Sequence, residues 1–457
     1  MTKSKLSRRD FIRRTTSAAG ATLAAKTILV DSGPSYAQNA AVPPSDRLHI
    51  GIIGVGEQGS GLLRSAISLP GIECVAACDL WDGRHTLAQE IVGKPIKVTR
   101  RYQELLDDKE IDCIINGTPD FWHKQILVDC CNAGKDVYSE KPMSHNASEG
   151  FEMIAAAERN KRIVQIGSQA ASSWTFIKAK ELIAQGAIGD LHTIEASTGR
   201  NTPNGAWASW MPPPGLSPQN LDWDTWLGNT PKLPFDPIRF ARWRSYRDYG
   251  TGVAGDLMVH LLTGMHLAAG VTDPPQRALS VGALYVFKDG REAPDVHHVL
   301  YDYPNFKVII KLMLTCEFNQ GTKFYGTRGL LEVTGGGAAS ESLTLTPQDG
   351  MDHGPGWYQQ GYPRAMREAY EKQWHLDHDA QLPKEKPQPV VYKNPNPWRD
   401  GTRDHLQNFF DAVRSRKPVV EDCAFGNNTA LACHMANASY YEQSIAVWDA
   451  TAQRIRT

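Results

Sequence analysis

Beyond residue 37 the chain contains no run approaching the roughly 20 apolar residues that a membrane helix needs, so no helical membrane span is expected there. An excess of one charge sign is missing too. Lys plus Arg number 49 against 50 Asp plus Glu, for a net charge of -1, and the basic residues form no long tract. Nucleic acid is therefore not an expected partner. Cysteine is sparse: the 8 residues, at positions 74, 78, 113, 130, 131, 316, 423 and 433, have neither the regular spacing of a disulfide framework nor a Cys-x-x-Cys pair. They fall mostly within expected strands and helices, as small buried apolar residues. No internal repeat is present. His297-His298 and the scattered His353, His375 and His378 lack a metal-ligand spacing, so no metal site is expected.

The N-terminus reads as an export signal. Ser7-Arg8-Arg9-Asp10-Phe11-Ile12-Arg13 precedes a weakly apolar Ala/Thr stretch, and Ser35-Tyr36-Ala37 offers small residues for cleavage. Gly20, Lys26, Gly33 and Pro34 would interrupt a basic amphipathic helix, the competing reading. Residues 1–37 are thus expected to be a twin-arginine signal and 38–47 a linker. The mature protein would be periplasmic or otherwise exported, without stable membrane association. That route carries folded cargo, so a cofactor inserted before export should be held tightly.

At 457 residues the chain exceeds one ordinary domain, and two domains with a cleft between them are expected. From Leu48 short apolar runs alternate with amphipathic ones. Leu48–Ile53, Ile72–Cys78 and 111–115 read as buried strands, and 59–69, 121–133 and 147–160 have helical spacing. That alternation implies a doubly wound parallel sheet over 48–167. After a helix at 174–185, strand-like runs at 191–198, 278–287, 297–303, 306–315 and 329–333 follow without regular intervening helices. They suggest an α+β domain over 168–457 built on an open, mainly antiparallel sheet. Segments 200–247, rich in Trp and Pro, and 335–399, rich in Gly, Pro, His and charge, read as long loop insertions. Helical stretches near 402–414 and 426–443 close the chain.

The first strand runs into Gly54-Val55-Gly56-Glu57-Gln58-Gly59, and a helical pattern follows at once. In that context Gly54 permits the tight turn, Gly56 lets the backbone approach a pyrophosphate, and Gly59 lets the helix pack close, its N-terminal amides facing the phosphate charge. Asp79, 20 residues after Gly59, ends the second strand, where a carboxylate would accept bonds from ribose hydroxyls. NAD is favoured over NADP, whose extra phosphate would meet that charge. Asp79 could instead cap the helix beginning near Asp82. Asn116-Gly117-Thr118-Pro119 with Trp122 and His123, and Glu140-Lys141-Pro142, lie at later strand ends that face the ligand crevice. Lys141 there could lower a substrate hydroxyl's pKa or stabilise a forming alkoxide.

The second half offers Asp248-Tyr249-Gly250-Thr251-Gly252-Val253-Ala254-Gly255-Asp256-Leu257-Met258-Val259-His260. Asp256 and His260, four apart, share one helix face, which suits a general base beside an orienting carboxylate. An isolated pair of this kind is also a common structural hydrogen bond or part of a metal site.

Together these residues resemble the Gfo/Idh/MocA oxidoreductase family, from about Leu48 to the C-terminus; Gly326-Thr327-Arg328-Gly329 adds to the match. The resemblance implies an N-terminal Rossmann domain and a C-terminal open sheet whose outer face makes a dimer or tetramer. It also implies Lys141 as catalytic lysine and Asp256 and His260 as the catalytic pair, with His260 as base. Two departures stand out: Asp79 is unlike an NADP-preferring site, and Gln169-Ala170-Ala171 lacks the arginine many members carry. Cofactor contacts are expected from Gly54, Gly56, Glu57, Gln58, Gly59, Asp79, Thr118, Pro119, His123, Glu140 and Lys141. The expected activity is NAD-dependent hydride abstraction from a hydroxyl-bearing carbon of a sugar or glycoside. A redox-neutral glycosidase cycle is the second expectation, with Tyr246, Tyr249 or His266 as its further acid/base, and a binding protein that keeps NAD as structure is the third. Of Trp207, Trp210, Trp223, Trp226 and Trp243, most should anchor the insertion and one or two line a sugar subsite.

Overall fold

The computed structural model describes residues 26–29, 43, 46–335, 342–383, 385–394 and 401–457. The twin-arginine stretch lies outside these residues. Of the expected signal only Lys26–Leu29 is described, as an edge strand paired in parallel with Val390–Lys393.

Leu48–Ile53 is apolar at nearly every position, which suits a strand covered on both faces. It sits centrally in a six-stranded parallel sheet ordered Lys97–Thr99, Ile72–Cys78, Leu48–Ile53, Cys113–Asn116, Asp136–Glu140, Val164–Gly167. Helix Glu57–Ile67 seals one face with Leu62, Leu63 and Ala66, and helix Asp120–Asn132 seals the other with Ile126, Leu127 and Cys130. The order reverses at Leu48–Ile53, so the carboxyl ends of this strand and Cys113–Asn116 open a crevice.

The second sheet is 11-stranded among the described residues and mainly antiparallel, with Leu191–Gly199 and Lys307–Met313 paired in parallel. Its strands alternate. In Lys307–Met313, Val308, Ile310 and Leu312 are buried while Ile309 faces outward. Helices Trp174–Ala184, Val259–Ala269 and Cys423–Glu442 cover the inner face.

Four features differ from the sequence reading. The run expected over 278–287 forms the strand Arg277–Ala283 only, because Asp295 takes the amides of Tyr285, Val286 and Phe287 at 2.9, 2.8 and 3.0 Å and turns the chain away. Phe318–Gly326 is an additional strand whose apolar pattern is broken by a bulge between Phe318 and Gly321. The insertion read as a loop over 335–399 contains strands Ser342–Pro347 and Val390–Lys393 and helix Arg364–His378. Helix Gly401–Ser415, assigned to the second domain by its place in the chain, returns to the first and buries Leu406, Phe409 and Phe410 there.

Burial holds His266 and His434 near about 3, and His297 and His405 near about 4. All four lie below the ordinary value of about 6.5 that applies in the unfolded chain. Between these limits the unfolded chain binds more protons, so their contribution to stability is complete above about pH 6.5 and is lost as pH falls toward 4. The carboxyls of Glu140 and Glu421, pushed up by burial, act in the opposite sense but are fewer. Calorimetry should give a Tm that holds between about pH 8 and 7 and falls progressively below about 6.5. A constant Tm down to pH 5 would contradict this.

Candidate active site

The chain leaves Ile53 through Gly54 at φ +85°, a conformation that favours glycine, and a Cβ there would stand 2.8 Å from the Gly117 carbonyl. At Gly59 a Cβ would stand 2.0 Å from the Gly54 oxygen. The turn, the helix start and the neighbouring strand end are thus backbone against backbone. Helix Glu57–Ile67 begins without a side-chain cap, which leaves its first amides for an anion. Those residues border a cavity of about 580 Å³. Gly56, Glu57, Gln58, Thr118, Pro119, Glu140 and Lys141 all line it. A second cavity, of about 440 Å³, shares Arg84, Gly117, Thr118 and Pro119 with the first and is bordered by Gly54 and Asp79.

This trench fits a dinucleotide: the uncapped amides suit the pyrophosphate, the Asp79 end the adenosine and the Lys141 end the nicotinamide. Asp79 also has structural work, since Oδ2 accepts from Val55 N at 2.8 Å and Oδ1 from Trp81 N at 3.0 Å, with Arg84 at 3.4 Å. His123 is a correction to the expected cofactor contacts. It is buried outside the cavity lining, its ring nitrogens 2.7 and 2.9 Å from the carbonyl oxygens of Pro142 and Thr118, so that whichever nitrogen carries the proton donates it to a carbonyl beyond a strand end. Gly59→Ala should weaken NAD binding more than tenfold and lower stability by about 1–3 kcal/mol, since the helix must move off the turn. Titration with NAD and urea unfolding check this, and wild-type affinity would contradict it.

Lys141 follows strand Asp136–Glu140 from the first domain. Beside it, Glu140 Oε1 accepts from Gln58 Nε2 at 2.8 Å and Gln169 Nε2 at 3.3 Å. The second domain brings its segment to Lys141 by close packing. A Cβ on Gly255 would stand 1.8 Å from Thr251 Oγ1 and 3.1 Å from Pro142 Cγ. Thr251 clamps the two domains by donating its N–H and hydroxyl to Asp120 Oδ2 at 2.9 and 2.7 Å. The helix opens with a wide π turn over Ala254–Met258, a feature frequent at functional sites.

Lys141 Nζ donates to the Asp256 carbonyl at 2.9 Å and to Asp256 Oδ1 at 3.1 Å, and Arg244 Nε donates to the same Oδ1 at 3.0 Å. Burial pushes the Asp256 carboxyl up, but Lys141 and Arg244 prevail and hold it well below the usual carboxylate range. His260, half-buried, lines the cavity one turn further on, and among the described residues its ring makes no hydrogen bond. The expected orienting bond from Asp256 is therefore not formed: that carboxylate faces two cations and acts on His260 through space. Burial brings His260 down to about 3, Lys141 and Arg200 push the same way, and Asp256 opposes them. Its imidazole is neutral at neutral pH.

Arg200, Arg244 and Asp120 border the cavity and were not singled out by motif. Arg200 follows a strand end and Arg244 lies within an insertion, so only their place beside a ligand crevice could have marked them. Trp207, Trp210 and Trp243 line the cavity, whereas Trp223 and Trp226 stack at 4.8 Å within the insertion's own apolar cluster. Tyr246, Tyr249 and His266 stay outside the cavity lining; His266 bonds Thr429 and Tyr303 instead. Among the described residues no group of three or more His, Cys, Asp or Glu could hold a metal ion.

A Rossmann crevice with a glycine-rich turn, joined to an open-sheet domain that meets it at a lysine, defines a dinucleotide-binding protein of the oxidoreductase class. Residues 48–168 match the profile described as "Oxidoreductase family, NAD-binding Rossmann fold", and 175–303 match "Oxidoreductase family, C-terminal alpha/beta domain". The chain belongs to the Gfo/Idh/MocA oxidoreductase family, and its first domain is an NAD-binding domain. It is 34% identical over 144 residues to inositol 2-dehydrogenase of Salmonella typhimurium, covering 31% of this chain and 43% of that protein. It is 27% identical over 210 residues to a glycosyl hydrolase family 109 protein of Shewanella pealeana, covering 42% and 46%. The chain thus spans less than half the length of these relatives. Among solved structures, aldose-aldose oxidoreductase from Caulobacter crescentus superposes with a TM-score of 0.63 at 15% identity, covering 88% of this chain and 99% of that one, which shows the shared fold.

Proposed function

We propose that the protein oxidises a hydroxyl-bearing carbon of a sugar or glycoside, using NAD that it holds tightly. The observation that carries this reading is the meeting of Lys141 from one domain with Asp256 and His260 from the other, on a cavity continuous with the dinucleotide trench. When bound, NAD supplies the hydride acceptor. Two of the Lys141 ammonium bonds go to Asp256, leaving a third N–H to bond the substrate hydroxyl and favour its ionisation. His260, neutral and without a hydrogen-bond partner among the described residues, accepts the hydroxyl proton, and the Asp256 charge stabilises the imidazolium that forms. The polyol and aldose chemistry in the names of the relatives supports a sugar-type substrate.

The glycosyl hydrolase relative supports a second reading, a redox-neutral cycle of oxidation, elimination, water addition and re-reduction. That cycle needs another acid/base, and none of Tyr246, Tyr249 and His266 lines the cavity. Oxidation is therefore preferred. The test is to purify the protein without added cofactor, assay released nicotinamide, and follow reduction of the bound cofactor on adding sugars. A keto sugar or lactone with any glycosidic bond intact supports oxidation. Released aglycone with the cofactor unchanged favours the second cycle, and bound NAD indifferent to every sugar favours a binding role.

The reading also includes export through the twin-arginine route, which subcellular fractionation tests. It includes a homo-oligomer formed through the outer sheet face, where Leu279, Leu300 and Ile309 stand in one exposed cross-strand row. Leu300→Glu should shift the sedimentation coefficient toward that of a monomer.

A further inference from the structure

Two cations, Lys141 and Arg200, and one anion, Asp256, act directly on His260, although the cavity as a whole is lined by Glu57, Asp120 and Glu140 as well. Lys141 and Arg244 share one carboxylate, Asp256, while Arg200 has no carboxylate partner among the described residues. Arg200 is half-buried, and among the described residues its side chain makes one hydrogen bond, Nη1 to the Gly205 carbonyl at 3.3 Å. The guanidinium of Arg244 lies 4.3 Å from the Trp243 ring centroid and 5.1 Å from that of Trp210, and among the described residues only its Nε is engaged in hydrogen bonding. Both Nη groups are left over. The wall that carries them is fixed in advance: Trp210 Nε1 donates to Asn204 Oδ1 at 3.0 Å and Arg242 Nε donates to the Trp210 carbonyl at 2.7 Å. On the far side Glu140 is already engaged by Gln58 and Gln169. The pyrophosphate charge belongs at the Gly56 end, and an oxidised nicotinamide would add a further positive charge beside His260.

We propose that the substrate carries a carboxylate, as in a uronic acid or its glycoside, and that Arg200 and Arg244 grip it while Trp210 receives an apolar face of the ring. The inference rests on reading this cavity as a sugar-oxidising site. A half-buried guanidinium without a counter-ion is costly, and a planar carboxylate satisfies the fork that an arginine held against indole rings presents. The same anion would offset the two cations that push His260 down, and so strengthen the base where the proton must be accepted.

The test uses the NAD-loaded protein with D-glucose, D-glucuronate, D-galactose, D-galacturonate and glucose 6-phosphate. Binding is read by tryptophan fluorescence and turnover by cofactor reduction. One uronate should bind about ten- to a hundredfold more tightly than its neutral counterpart. Arg200→Gln should cut that ratio at least tenfold, and Arg200→Lys should restore part of it; matched melting temperatures confirm folding. Equal binding of neutral and acidic sugars, preference for the phosphate, no binding, or a ratio untouched by Arg200→Gln would each overturn the proposal. Cofactor reduction by a neutral sugar in those cases leaves the oxidation reading standing. A uronate that binds through Arg200 yet never reduces the cofactor upholds the subsite and rejects oxidation.

Discussion

His260→Ala lowers kcat by about 10²–10⁴-fold while NAD binding stays within about threefold of wild type, because the residue supplies the proton acceptor and is not among the residues expected to hold the dinucleotide. The imidazole lines the cavity, is half-buried and has no hydrogen-bond partner among the described residues. Removing it should therefore cost little in folding and much in chemistry. Burial, with Lys141 and Arg200, brings this group down to about 3. For the wild type, kcat/KM should show no acid limb from His260 between about pH 8 and 5 wherever the protein stays folded. Steady-state kinetics with parallel NAD titration check both statements. Undiminished turnover in the variant would remove His260 from the chemistry.

Asp256→Asn destabilises the protein by about 3 kcal/mol and lowers kcat about a hundredfold, the largest stability effect expected in the site. The carboxylate is buried and is the shared acceptor for Lys141 and Arg244. An amide in its place leaves two cations with one neutral oxygen between them, and removing one partner of a buried ionic group costs far more than its net contribution. The loss in kcat follows from a displaced Lys141 and from an imidazolium without its counter-charge. Urea unfolding of wild type and variant gives the first quantity and kinetics the second. A stability change under about 0.5 kcal/mol would mean that the two cations find other partners.

The parts of the fold legible in the sequence are those governed by short-range rules. Leu48–Ile53 into Gly54, Gly56 and Gly59 is such a case, because strand burial, a positive φ and backbone close approach all depend on residues within a few positions. The alternation in Lys307–Met313 is another. Pairings across the chain are not legible in this way. Nothing local says that the Asp256 carboxylate turns to Lys141 and Arg244 rather than to His260, or that helix Gly401–Ser415 packs on the first domain. His123 shows the same limit: its place at a strand end suggests a ligand contact, yet its ring lies between the carbonyls of Pro142 and Thr118, and one of them takes its N–H. In the second insertion, Leu343 and Leu345 do alternate, but two apolar positions among Ser and Thr are too few to separate an edge strand from a loop.

The most direct measurement of the account follows the transferred hydrogen. Protein loaded with NAD is incubated with a sugar deuterated on all its carbons, and the released cofactor is examined by mass spectrometry. The account predicts reduced nicotinamide carrying one deuteron, with label strongly diminished in His260→Ala. Sugar consumed while the cofactor stays unlabelled, or label of wild-type extent in His260→Ala, would contradict it.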